Sequence, residues 1–189
     1  MSAIAAPSDT AGTASALRRL YFVRFVFAIV WALVMFTMAK EITPAGGAVL
    51  LVLYPLFDVG AAVYDAKVSR NTGSPALLYV NVAVSLVTAV GLTVACASGI
   101  PAVLRVWGGA WAVVAGLVQL IVAIPPRRKM GGQWPMILSG GISVLAGGSF
   151  IASAGADDPA LTSAVGYAIP GGIFFLLSAL RLKRATQES

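Results

Sequence analysis

The chain has no histidine, a single cysteine (Cys96) and only seven acidic residues among 189. These gaps exclude much chemistry. Without histidine there is no Ser-His-Asp triad and no haem held through imidazole. With one cysteine and few carboxylates, no cluster has the ligand spacing of zinc, iron or copper sites. The lone cysteine rules out an internal disulfide and reads as a small packing residue in the third apolar segment. There is no phosphate-binding loop of the Gly-Lys-Ser type. Charge is scarce too, at 11% of residues, where soluble domains carry about a quarter. No cofactor is expected, and the chain reads as a non-enzyme.

What is present is apolar sequence. Hydrophobic residues make up 59% of the chain, and the mean hydropathy is +0.90. Six runs, roughly 20–39, 46–65, 76–97, 102–124, 134–153 and 160–180, are each close to the ~20 residues that cross a bilayer as a helix. Lipid offers the backbone no hydrogen bonds, and runs this long exceed barrel strands. The expected fold is an all-α membrane domain over residues 17–184 with six transmembrane helices. Residues 1–16, rich in Ala, Ser, Thr and Pro, read as a disordered tail, and 185–189 as a short C-terminal one. The first apolar run follows its charges and is long enough to span, so it reads as a retained helix, not a cleaved leader.

The net charge of +6 would suit nucleic acid, but its distribution points elsewhere. Arg18 and Arg19 precede the first run. Lys67 and Arg70 follow the second, Arg127, Arg128 and Lys129 the fourth, and Arg181, Lys183 and Arg184 the sixth. The alternate connections hold Lys40, Glu41, Asp157 and Asp158, with Arg105 just inside the fourth run. This positive-inside pattern puts both termini and the loops at 66–75 and 125–133 in the cytoplasm of a bacterium, with the chain in its inner membrane. Anionic lipid headgroups are then the expected partners of the basic clusters, and nucleic acid is not.

A register runs through the chain. Pro44, Pro101 and Pro159 each separate two apolar runs, and each can open the helix that follows. Twenty residues before them lie Arg24, Asn81 and Ser139; sixteen before, Ala28, Ser85 and Ser143; twelve before, Ala32, Ala89 and Gly147. The repeat is about 57 residues and gives hairpins at 20–65, 76–124 and 134–180. Pro55 and Pro170 each lie eleven residues after a repeat proline, where the middle repeat has Ala112. Small residues four apart let helix backbones approach. The stripes could join the odd-numbered helices around a pseudo-threefold axis, or each could pack on its own hairpin partner.

The segments 137–148 (ILSGGISVLAGG) and 107–116 (WGGAWAVVAG), with the repeated hairpins and short outer turns, resemble the HdeD-like membrane proteins of bacteria. The likeness extends over residues 17–184. It implies an inner-membrane protein built on a short repeat, with a role in acid or envelope stress as an expectation. That family supplies no catalytic motif to carry over, and Arg24 and Asp58 within the spans depart from its pattern.

Those two residues are the candidate site. A charge inside a membrane is costly and marks a partner or a pathway. In an antiparallel hairpin, Arg24 comes level with about Ala61, within one turn of Asp58, so the two can pair. Asn81 and Ser139 share the register of Arg24, and Gln119 lies near the same side. The cluster Arg24, Asp58, Asn81, Gln119 and Ser139 reads either as interhelical hydrogen bonding around a clamp or as a cytoplasm-facing polar vestibule. Arg24 snorkelling to headgroups is a third reading. The leading expectation is a structural or accessory envelope protein, with a protein partner or a second copy of itself. The alternative is a small channel or transporter that uses the polar cluster.

Overall fold

The computed structural model describes residues 7–38, 44–68, 75–123, 134–157, 159 and 161–185. Among these the chain is all-helical, in six helices. They are α1 (Pro7–Met38), α2 (Pro44–Val68), α3 (Pro75–Ser98), α4 (100–123), α5 (Trp134–Ser153) and α6 (Thr162–Ala185). The helix α1 starts at Pro7, inside the stretch expected to be a tail, because Ala, Ser and Thr extend the turn ahead of the arginines. Residues 1–6 and 186–189 and most of the two basic loops lie outside the described residues. The prolines act as stops and starts. Pro44 is the first residue of α2, Pro101 the second of α4, and Pro159 precedes α6. Pro55 and Pro170 lie inside α2 and α6.

Four helices are long and apolar enough to cross a membrane, through Gly12–Thr37, Ala45–Val68, Leu78–Ser98 and Ile100–Val118. The remaining two carry shorter apolar stretches among the described residues, Ile137–Ser153 and Val165–Arg181. The outer surface agrees with lipid as solvent. Val87, Val90 and Val94 form one face of α3 and are each about two-thirds exposed, and Val23, Val26, Val30 and Leu33 form a face of α1 that is just over half exposed. Such contiguous apolar faces are unfavourable in water but match hydrocarbon.

The packing order is a ring, α1 to α6 and back to α1. The most extensive pairs are α6 with α1, α2 with α3, and α4 with α5. Small residues explain this. A Cβ at Gly172 would lie 3.2 Å from Cβ of Ala28, so α6 and α1 nearly touch. A Cβ at Gly147 would lie 2.7 Å from the Gly108 carbonyl oxygen, and one at Gly116 would lie 2.7 Å from that of Gly140, so α4 and α5 meet backbone to backbone. Ala28, Ala32, Ser85, Ala89, Ser143 and Gly147 are all buried. Ser85 and Ser143 bond the even-numbered helix of their own hairpin, through Trp111 and Tyr167. Ala28 meets Gly172 of α6 and Gly147 meets Gly108 of α4, each an even-numbered helix of a neighbouring hairpin, where glycine offers the shallow surface that the stripe fits. These contacts do not join the odd helices to one another.

The core is aromatic. Trp31, Tyr54, Trp107 and Trp111 cluster in its middle, with Trp31 and Trp107 stacked at 5.5 Å and Tyr54 edge-on to all three. The two α4 tryptophans are buried packing residues. They belong to a π-helical stretch, Val106–Val113, inside α4, where Gly108 and Gly109 ease the wider turn. Thr37, Thr88 and Thr93 bond back to carbonyls of their own helices. Gly99, between α3 and α4, has φ +95°. That conformation strains any side chain, so Gly99→Ala should lower stability by about 1 kcal/mol, read as a drop in the thermal midpoint in detergent.

Candidate functional site

The polar site is assembled around one carboxylate. Arg24, on α1, donates from a terminal guanidinium nitrogen to Oδ1 of Asp58, on α2, at 2.7 Å. Oδ2 accepts two more hydrogen bonds from α3, one from Asn81 Nδ2 at 2.7 Å and one from Ser85 Oγ at 2.8 Å. Ser85 Oγ in turn accepts from Nε1 of Trp111, on α4, at 3.3 Å. The Arg24 guanidinium carbon lies 4.8 Å from the ring centre of Phe175, on α6. Side chains of five helices therefore meet at this one pair of charges.

The geometry follows from simple spacing. Asn81 and Ser85 are one helical turn apart and point the same way, so two donors reach one oxygen. Arg24 with Asp58 and Trp31 with Leu50 keep a constant sum of residue numbers to within one, the signature of an antiparallel pair. Trp31 Nε1 donates to the Leu50 carbonyl at 2.7 Å and pins that register. The side chains of Arg24 and Asp58 are 11% and 16% exposed, so each would carry a large desolvation cost without the other. The phenyl face over the guanidinium offsets part of it. Arg24 Nε is buried with no partner among the described residues.

The cluster expected from sequence is therefore partly assembled. Arg24, Asp58 and Asn81 come together. Ser139 makes no hydrogen bond to them, because α5 packs on α4 and not against α1 or α2. The side chain of Gln119 lies outside the described residues. Two members went unrecognised. Ser85 was legible as a small stripe residue, and its position one turn after Asn81 was the available signal. Trp111 had none, since a tryptophan at that depth reads equally as packing. A second pair, Ser143 Oγ with Tyr167 Oη at 2.5 Å, joins α5 to α6.

Beside the charges is a cavity of about 10 Å³, lined by Arg24, Phe27, Tyr54, Phe57, Asp58 and Phe175. That is near the lower limit for one water molecule. No group of three His, Cys, Asp or Glu side chains lies together among the described residues. No protein-family model, curated protein sequence or solved structure matches this chain. The arrangement can hold helices in register and keep a charge pair neutral. The strength of that hold is testable at its outer link. Trp111→Phe removes that donor together with part of a buried ring system, and should cost about 1–3 kcal/mol, lost packing included. A midpoint in detergent unfolding equal to that of the native chain would mean that neither the N–H nor the ring packing contributes.

Proposed function

We propose that this protein is a non-catalytic, accessory integral protein of the bacterial inner membrane. In this reading it presents a rigid helical bundle to a partner and follows the HdeD-like plan, with a role in envelope stress. The observation that carries this is the saturation of Asp58. A carboxylate that accepts three hydrogen bonds from two helices, beside a cavity of one-water size, suits a fixed clamp better than a moving proton or an ion path. Purification in mild detergent, with identification of co-eluting protein, tests it. A stable partner is the expected result. Flux of ions or small solutes by the pure protein in liposomes would favour the second reading, a small transporter. What favours that reading is the π-helical stretch beside the network, since such irregular turns concentrate at functional sites.

The hairpin repeat around a pseudo-threefold axis is part of the same proposal. It is supported by corresponding stripe positions meeting corresponding helices. Ala28 lies on Gly172, Ser85 bonds Asp58, and Ser143 lies on Gly116. Shifted by one repeat of about 57 residues, these pairs fall within two positions of each other.

The orientation, with both termini cytoplasmic, rests on the loop charges. In a Cys96→Ala background, Asn71→Cys and Met130→Cys should resist an impermeant thiol reagent added to intact cells, while Asp157→Cys should react. The reverse pattern would invert the topology.

A further inference from the structure

The helices α1 and α2 are sequence neighbours but pack less closely than α1 and α6 do. Bulky side chains hold them apart. Phe27 and Phe57 stack face to face at 3.7 Å, where the α1–α6 contact has alanine on glycine. The space left between them is a groove of about 510 Å³, open to the side of the bundle. Its walls are apolar throughout, with Phe22, Val26, Val30 and Val34 on α1 and Leu50 and Leu53 on α2. From Phe22 to Val34 it runs about 18 Å along the helix, close to the ~15 Å hydrocarbon depth of one leaflet.

One end of the groove is basic. Phe22 carries the Arg18 guanidinium on its ring face, 5.5 Å from the ring centre. Arg18 Nε is buried and has no hydrogen-bond partner among the described residues. Arg19 is exposed one turn before Val23, on the same face as Val26 and Val30. The other end, by Val34 and Leu50, is apolar. A slot one leaflet deep with arginines at its mouth has the charge and shape of a phospholipid bound by its phosphate.

We propose that the α1–α2 groove is a binding site for an anionic phospholipid. One acyl chain lies between Val26 and Leu53, and the phosphate is held by Arg18 and Arg19. The assignment rests on membrane insertion but not on which way the termini face, and it is separate from the Asp58 network. Arginine suits the role because its fork can take two phosphate oxygens at once. Lateral access from the bilayer replaces any need for a tunnel.

The test uses the full chain, purified in mild detergent and stripped of lipid, then given equal amounts of phosphatidylglycerol and phosphatidylcholine. Native mass spectrometry reads the bound species. One lipid per chain is expected, with phosphatidylglycerol preferred. Arg18→Gln and Arg19→Gln should each reduce that preference about five-fold, the factor expected per basic residue at a lipid surface. Val26→Trp and Leu53→Trp fill the groove from opposite walls at exposed positions, and each should remove the adduct while helicity is kept. If one tryptophan variant fails to fold, the other serves, and the arginine variants decide independently. Equal binding of the two lipids overturns the proposal. So does an adduct that survives in a folded groove-filling variant. A lipid-free dimer that Val26→Trp dissociates would assign the groove to a second copy of the chain and overturn it as well.

Discussion

Asp58→Asn is expected to lower the stability of the bundle by about 3 kcal/mol, the scale on which removal of one member of a buried pair acts. The variant keeps the size of the side chain but turns one acceptor into a donor. Its amide nitrogen can face Asn81 and Ser85, which can turn to accept it, but the oxygen left for the Arg24 guanidinium is then neutral. Arg24, only 11% exposed, is left without its counter-charge. Removing both charges, as in Arg24→Met with Asp58→Leu, should recover only part of the loss, because Asn81 Nδ2 would still lack its acceptor. Adding Asn81→Leu should bring stability to within about 1 kcal/mol of the native chain, since paired buried charges can often be replaced together. Ser85 needs no replacement, because it can bond back to its own helix. Unfolding in mixed micelles measures the series. A midpoint for Asp58→Asn equal to that of the native chain would show that the network carries no stability. Complementation by the triple variant separates the two functional readings: a clamp tolerates it, and a transport site does not.

The second large effect belongs to the α4–α5 contact. Gly147→Ala would put a methyl group 2.7 Å from the Gly108 carbonyl oxygen and 2.6 Å from Cγ2 of Val113. Neither the backbone oxygen nor the crowded valine can retreat without parting the helices. The expected loss is about 2–3 kcal/mol, at the upper end for overpacking, and Gly147→Leu should prevent α5 from docking. Gly148 is the internal control. A Cβ there meets nothing within 4 Å, so Gly148→Ala should stay within about 0.5 kcal/mol of the native chain. Thermal unfolding of the three variants in one detergent decides it. Equal effects at 147 and 148 would mean that helix propensity, and not contact, governs both.

These two sites also show how far the residues alone could be read. The depth of a residue along a helix follows from counting, because each position rises by 1.5 Å. That is why Arg24 and Asp58 match in depth and why Asn81 falls at the same level. Apolar run length likewise determined the helical class. Azimuth and partner choice are different quantities. A small residue permits close approach but does not say what approaches. Gly147 and Gly148 look alike in sequence, yet one touches a carbonyl and the other faces open space. Ala28 is no more suited by itself to α6 than to α3 or α5. Which helix each stripe meets depends on side-chain volumes at every interface of the ring at once. Aromatic pairs such as Phe27 and Phe57 hold α1 and α2 apart, while alanine on glycine draws α1 and α6 together. That balance leaves Ser139 outside the polar network, brings Ser85 and Trp111 into it, and opens the groove between α1 and α2. Residue order is enough to set the helices and the depth of their charges. Their neighbours follow from the folded bundle, because packing is a property of all the helices together and of none of them alone.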